Sequence, residues 1–288
     1  MPIPIPQALE ESAGVARAKA HQARRLPPYL FSSMLAGAYV GVAVVLLVSL
    51  AGPFAAATSP ATKLVAGAVF GVALTLVVFA GSELFTGNVM FMLQGLKARA
   101  VTGADLAVVW VASLVGNLVG SVGFAALVNA GGTLAAGGAP GRPGPGQGMV
   151  NSLAAAKDAA SGGQLFWRSV LCNMLVCLAL WMATRATGDG AKLMVLWWAL
   201  LAFIGSGFEH SVANMTLFSL AIFGGDASWA DLWRNLAFTV PGNVVGGGLI
   251  VGLGYAWLGR PVPAAAPTPV EIDVDLAGDG RVTAPVTA

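Results

Sequence analysis

Apolar residues run along this chain in long blocks, with neither the strict alternation of a half-buried strand nor the narrow stripe of a surface helix. Stretches near the roughly 20-residue length that crosses a bilayer recur from residue 31 onward, separated by short polar turns. The first covers residues 31–51, and Pro53 and Pro60 fall in the loop that follows. A second, residues 64–96, is too long for one simple crossing and is interrupted by Gly81-Ser82-Glu83-Leu84-Phe85-Thr86-Gly87-Asn88, which predicts a broken helix. The third covers residues 106–130, and residues 131–163, dense in Gly, Pro and Ala, predict a linker that halves the chain. The fourth is residues 166–184, the fifth 193–223 around Glu209 and His210, and the sixth 236–258. The pattern predicts an all-α integral membrane protein of six transmembrane helices, two of them broken.

The flanks differ in character. Residues 7–27 mix Glu10, Glu11, Arg17, Lys19, Arg24 and Arg25 with alanines, which suits an interfacial helix and not a cleavable signal. Residues 1–28 are therefore expected to form a cytoplasmic amphipathic segment ahead of a channel domain, 29–260, with repeats at 29–130 and 164–260. Residues 261–288, rich in Pro, Ala and Thr with Glu271, Asp273 and Asp275, are expected to be a disordered cytoplasmic tail.

Composition sharpens this reading. Hydrophobic residues make up 57% of the chain and charged ones 10%, against about 25% charged in an ordinary soluble domain. No segment is left over for a soluble domain of comparable size. The net charge of +2 comes from scattered basic residues, so no basic stripe marks a nucleic-acid partner. Cys172 and Cys177 share one apolar segment and read as packing residues, neither a disulfide framework nor a metal site. With the N-terminus in the cytoplasm, Arg24, Arg25, Lys97, Arg99, Arg185, Lys192 and Arg260 lie inside, and Lys63, Arg142, Lys157, Arg168 and Arg234 outside. That bias places both termini inside.

An internal repeat organises the whole. Adding 126 to Gly81, Glu83, Asn88, Asp105, Gly116, Asn117 and Gly120 gives Gly207, Glu209, Asn214, Asp231, Gly242, Asn243 and Gly246. Each repeat holds three crossings, so the second enters from the opposite face, an inverted repeat whose two helix breaks meet near the midplane. Unwound backbone at that depth is tolerated against protein or a water-filled cavity, which implies a pore.

Glu83, Glu209 and His210 are ionisable groups at membrane depth, each costing about 2.5–3.5 kcal/mol to insert, and so are functional candidates. The structural alternative for Glu83 and Glu209 is to accept hydrogen bonds from backbone N–H groups freed at the breaks. Asn88 and Asn214 are grouped with Glu83 as supports of the helix breaks. His210, with only His21 for company, cannot join a multi-histidine metal centre, and no metal or other cofactor is expected. A histidine facing the Thr86 hydroxyl suits hydrogen bonding or proton transfer to a passing anion. The positive dipole ends of the half-helices restarting after each break also favour negative charge there. Gly67 with Gly71, Gly116 with Gly120, Gly242 with Gly246 and Gly248 with Gly252 read as close-packing surfaces within or between protomers.

At these residues the sequence resembles the formate/nitrite transporter family. The resemblance rests on Met34-Leu35-Ala36-Gly37-Ala38-Tyr39-Val40-Gly41, the break from Ala80 to Asn88, Cys172-Asn173-Met174-Leu175-Val176-Cys177-Leu178-Ala179, and Ser206-Gly207-Phe208-Glu209-His210-Ser211-Val212-Ala213-Asn214-Met215. It extends over residues 34–257. Within the family, residues 197–203 and 214–218 are most similar to NirC-type nitrite channels. The resemblance implies an aquaporin-like homopentamer in the bacterial inner membrane, each protomer with its own pore. It further implies that His210 and Thr86 form the central pair, that Phe70, Leu74 and Phe203 form a periplasmic constriction, and that Phe85 and Val176 form a cytoplasmic one. Lys157 would be the vestibule lysine, linked to His210 through Asn173 and Glu209.

The function expected is permeation of a small monovalent anion, nitrite first, by facilitated diffusion loosely coupled to protons. Lys157 would attract the anion, which would cross the apolar constrictions as its neutral acid, with His210 stabilising it or supplying and reclaiming the proton. Formate, hydrosulfide and a tightly proton-coupled symporter are the alternatives within transport. A neutral-solute channel lacks its paired Asn-Pro-Ala signatures here, and an acid–base enzyme built on Glu209 and His210 lacks a facing nucleophile or metal cluster. The chain is thus expected not to be an enzyme.

Overall fold

Helices supply nearly all the regular structure of the computed structural model, which describes residues 1–139 and 142–260; the acidic tail expected to be disordered lies outside the described residues. Helix α1 (Ile5–Ala23) opens with proline in its first turn and buries a face of Ala8, Ser12, Ala13, Ala16, Ala20 and Ala23. The first span is α2 (Leu26–Ala56), 31 residues long. The second is α3 (Thr62–Phe70) and α4 (Val72–Phe79), then a non-helical break, then α5 (Phe85–Lys97). The third is α6 (Gly103–Ala130), the fourth α8 (Gly162–Arg185), and the fifth α9 (Asp189–Gly205) and α10 (Ser211–Phe223) either side of the second break. The sixth is α11 (Trp229–Asn243), which widens into a π-helical stretch, Val244–Leu253, and ends in α12 (Gly254–Leu258). Among the described residues five helical stretches, one of them α3 and α4 taken together, are long and apolar enough to cross a membrane, and α9 with α10 supplies the sixth passage.

One expectation is revised. The Gly- and Pro-dense stretch 131–163, expected to be a linker throughout, contains α7 (Pro145–Asp158), started by proline at its first helical position, where no N–H is needed. Its second half, Asn151-Ser152-Leu153-Ala154-Ala155-Ala156-Lys157, has good helix formers that the surrounding glycines disguise.

The repeat is visible residue by residue. Helices α5 and α10 begin 126 apart (85 + 126 = 211) and end 126 apart (97 + 126 = 223). Gly81 and Gly207 both hold positive φ, 73° and 74°, a conformation in which a side chain would be strained. Reciprocal capping boxes start α6 and α11: Thr102 with Asp105, and Ser228 with Asp231.

The buried amides of Asn117 and Asn243 hold the breaks in shape. Asn117 Oδ1 accepts from the Phe85 N–H at 2.9 Å, and its Nδ2 donates to the carbonyls of Ser33 (2.8 Å) and Glu83 (2.9 Å). Asn243 does the same for the Ser211 N–H (2.9 Å) and the carbonyls of Ser169 (2.8 Å) and Glu209 (3.1 Å). The freed backbone groups therefore bond to these asparagines, and the side chains of Glu83 and Glu209 are left for other partners.

Small residues let the helices approach within the protomer, which settles the choice left open for two glycine pairs. A Cβ on Gly116 would meet Ser33 and the Leu30 carbonyl, and one on Gly120 would meet the Met34 backbone; Gly242 and Gly246 stand the same way against Phe166, Ser169 and Val170 of α8. We expect Gly120→Ala or Gly246→Ala to lower stability by about 3 kcal/mol, because the obstructing atoms are backbone and cannot swing aside. Thermal unfolding in detergent checks this, with Gly123→Ala, which meets nothing within 4 Å, as the control.

Candidate functional site

Two cavities open at opposite ends of α2. One, of about 880 Å³, is lined by Gly52, Ala55 and Ala56 at the C-terminal end of α2 together with α7, Lys157 and His210. The other, of about 680 Å³, is lined by Arg25, Tyr29 and Ser32 at the N-terminal end together with Lys19 and Glu83. Each runs inward to one helix break.

Both cavities contain a lysine–glutamate pair. Lys157 Nζ lies 2.7 Å from Glu209 Oε2, and Asn214 Nδ2 donates to the same oxygen at 2.7 Å while also reaching Asn235 Oδ1 at 2.8 Å. On the α1 side, Lys19 Nζ straddles both oxygens of Glu83 at 2.9 and 2.8 Å, and Tyr29 Oη (3.1 Å) and Asn88 Nδ2 (3.0 Å) complete its shell. Glu83, Asn88 and Asn214 thus act at the breaks by building carboxylate shells rather than by capping backbone. Glu209 is 4% exposed and Lys157 16%, so the carboxylate is buried while the ammonium still reaches the cavity.

Between the cavities, Thr86 Oγ1 and His210 Nε2 are 3.0 Å apart, both residues buried. His210 is also the N-cap of α10: its Nδ1 accepts from the Ala213 N–H at 3.1 Å. An accepting Nδ1 carries no proton, so the neutral ring has its hydrogen on Nε2 and donates it to the Thr86 oxygen. The Thr86 hydroxyl hydrogen is then free to be offered elsewhere. A second ring proton would have to sit on Nδ1, where it would displace the cap bond at the positive end of a helix. This arrangement favours His210 as a fixed donor over His210 as the proton source. The repeat is asymmetric here, since Leu84 and Val212 occupy the positions equivalent to His210 and Thr86 (84 + 126 = 210; 86 + 126 = 212).

Aromatic rings close the α7-side cavity over this pair. Phe70 and Phe203 meet edge to face at 5.6 Å, Phe203 stacks on His210 at 6.0 Å, and all three line the cavity. Leu74 was grouped with those phenylalanines, but it lines the α1-side cavity with Leu84 and Leu180. Phe85 and Val176 were expected to form the constriction there. In the structure the Phe85 ring packs edge to face on Trp110 at 6.4 Å and Val176 is buried in the core, while Leu84 and Leu180 line the cavity.

Asn173 is not the link between Lys157 and His210. Its Nδ2 donates to the carbonyls of Thr86 (3.1 Å) and Asn243 (2.7 Å), so it fixes the Thr86 backbone. Cys177 Sγ donates to the same Thr86 carbonyl at 3.3 Å, a role beyond packing. Both thiols are free and buried. Among the described residues no cluster of three or more His, Cys, Asp or Glu side chains could hold a metal ion.

Lys19 and Tyr29 are the site residues that sequence reasoning missed. The offset of 126 fails ahead of α3: Ser33 and Ser169 play equivalent parts 136 apart, and Lys19 and Lys157 stand 138 apart. The signal was available, because a glutamate at depth in each break calls for a cation.

Residues 7–257 match the family model described as formate/nitrite transporter. The chain is 44% identical over 246 residues to the nitrite transporter NirC of Salmonella typhimurium (strain LT2), covering 84% of this chain and 86% of that protein. Among solved structures it is similar to an FNT family ion channel, with a TM-score of 0.80 and 41% identity, covering 88% of this chain and 99% of the other. It is also similar to a pentameric formate channel with formate bound, at a TM-score of 0.68 and 28% identity, covering 82% and 97%.

Proposed function

Since the chain belongs to the formate/nitrite transporter family, we propose that it is a nitrite channel of the bacterial cytoplasmic membrane, with both termini in the cytoplasm. The α7-side cavity is then its periplasmic vestibule and the α1-side cavity its cytoplasmic one. The nitrite transporter at 44% identity supports nitrite as the cargo, and the pentameric neighbour supports a homopentamer of independent pores. Formate is the second reading, because it is a bent monovalent oxyanion of a weak acid like nitrite and is the ligand of one structural neighbour.

The observation that carries the reading is the Thr86–His210 hydrogen bond between two vestibules, each with its own lysine. Moving a bare unit charge into an apolar medium costs on the order of 20 kcal/mol in the ideal limit and several kcal/mol after relaxation. Lys157 lowers that cost at the outer mouth, and Phe70 with Phe203 strips water from the anion. Desolvation raises the anion's proton affinity, so it takes a proton from the water of the outer vestibule and crosses the barrier as the weak acid, with the Thr86 hydroxyl in hydrogen-bonding reach. Leu74, Leu84 and Leu180 line the way out to Lys19, where the acid ionises again. No covalent step is involved, and we assign the chain no enzymatic activity.

Flux of nitrite, formate and nitrate into proteoliposomes across pH tests the assignment. Saturable nitrite uptake exceeding formate is the expected result; preference for formate would retain the pore and change the cargo, and absence of any anion flux would overturn the reading. Phe203→Ala should open the outer constriction, raising nitrate leak severalfold relative to nitrite in the same assay.

A further inference from the structure

We propose that Lys63, Arg142 and Arg168 form an outer capture site for small planar oxyanions in the α7-side vestibule, distinct from the Lys157–Glu209 pair deeper in. All three line that cavity and all three are exposed. They arrive from three elements. Lys63 stands in the first turn of α3, and Ala66 and Phe70, which also line the cavity, follow it at helical spacings of three and seven, so it heads the stripe that descends to the constriction. Arg142 precedes α7 and is pinned by two backbone bonds to Ala139, at 3.2 and 2.8 Å. Arg168 lies on α8, where its carbonyl accepts from the Glu209 N–H at 3.3 Å, so its side chain departs beside the second helix break.

The charges of this cavity do not cancel. Its lining includes four cations, Lys63, Arg142, Lys157 and Arg168, and one carboxylate, Glu209, which Lys157 already occupies. Among the described residues no carboxylate lies within salt-bridge distance of the other three. Three positive charges are therefore left facing one recess with apolar walls, which focuses their field and concentrates counter-ions. Two of the three are arginines, whose planar fork matches the two oxygens of a bent oxyanion and does not lose its charge with pH. The opposite cavity differs: of its lining cations, Lys19 is taken by Glu83 and Lys192 lies 3.5 Å from Asp189, leaving Arg25. The capture site is thus a feature of one mouth.

This proposal rests on the channel reading, and its test separates the two. Ser152, exposed on α7 and lining the same cavity, is replaced by Cys to report the local potential; the native thiols are buried. Reaction rates with a sulfonate-bearing and a trimethylammonium-bearing methanethiosulfonate are compared in nonionic detergent, with and without Lys63→Gln, Arg142→Gln and Arg168→Gln together. Neutralising the triad should change each rate about tenfold in opposite directions, so the anionic-to-cationic ratio falls on the order of a hundredfold at 20 mM salt, and much less at 0.5 M salt. In proteoliposomes the same triple variant should raise the half-saturating nitrite concentration for uptake about tenfold at low salt. An unchanged ratio, or a shift equal at both salt concentrations, overturns the capture site even if nitrite flux is robust. A ratio that falls as expected in a protein passing no anion upholds the field of the triad and removes the channel reading instead.

Discussion

Thr86→Val is expected to lower saturated nitrite flux ten- to a hundredfold, whereas Thr86→Ser should keep it within about threefold of the parent. Valine preserves the shape of the side chain and removes the hydroxyl that faces His210 between the two cavities, and a hydrogen bond to a charged or strongly polar partner contributes about 1.5–3 kcal/mol. That range converts to the stated loss, at 1.36 kcal/mol per factor of ten. His210→Asn is the informative companion, because asparagine is among the best N-cap residues and should keep α10 anchored while being too short to reach Thr86. If the ring works by holding the Thr86 oxygen, the two changes act on one element, and the double variant should be no worse than the poorer single. Multiplicative losses, or a Thr86→Val channel as fast as the parent, would sink that account. Whatever pH dependence persists in His210→Asn belongs to protonation of the anion itself.

The parts of this arrangement that could be read from sequence are those in which a polar residue stands where lipid or core forbids it. Glu83, Glu209, His210 and the asparagines matched at an offset of 126 announced two breaks facing one another, and the structure has both helices restarting at matched positions. Two facing breaks bring Thr86 opposite His210, and the atoms are 3.0 Å apart. What a sequence leaves open depends on direction rather than on position. Phe85 and Leu84 are neighbours at the start of α5, and only the backbone geometry of the break decides that Leu84 faces the cavity while Phe85 turns to Trp110. Phe70 and Leu74, four apart, lie on one face of the second passage, and a turn of helix is enough to carry Leu74 past the barrier into the other cavity.

Helix α7 was hidden for another reason. Its 14 residues have the burial pattern of a short helix lying on α2, but they are embedded in glycine and proline, and local composition outweighed the Ala-rich turn that ends in Lys157. The equivalence of α1 with α7 was missed because the chain between first span and break is longer in the first repeat, so one offset could not align both ends. Only the paired glutamates reveal that two outlying helices do the same work, each bringing a lysine to a carboxylate at the foot of a vestibule.

That equivalence has an energetic consequence, because the two carboxylates are not equally supported. Glu209 Oε2 receives Lys157 and Asn214, whereas Glu83 receives Lys19 on both oxygens together with Tyr29 and Asn88. Glu209→Gln leaves the Lys157 ammonium without its counter-charge, even though the amide oxygen can take the place of Oε2 and still accept from Lys157 and Asn214. Breaking a buried pair by removing one partner costs about 3–5 kcal/mol, and since Lys157 still touches the cavity the lower end applies, roughly 3 kcal/mol. The midpoint of thermal unfolding in detergent should fall on the order of 5–10 °C. Adding Lys157→Met removes the orphaned charge and should recover most of that loss, while nitrite flux stays low because the inner cation is gone. Glu83→Gln should cost at least as much, because Lys19 straddles both oxygens and one of them becomes an amide N–H2 facing the ammonium, while Tyr29 and Asn88 keep the other. The decisive comparison is therefore between stability and transport in Glu209→Gln/Lys157→Met. Recovered stability with flux still depressed assigns the lysine to the anion's path, whereas recovery of both would make the pair a structural clamp and leave attraction of the anion to the outer cations.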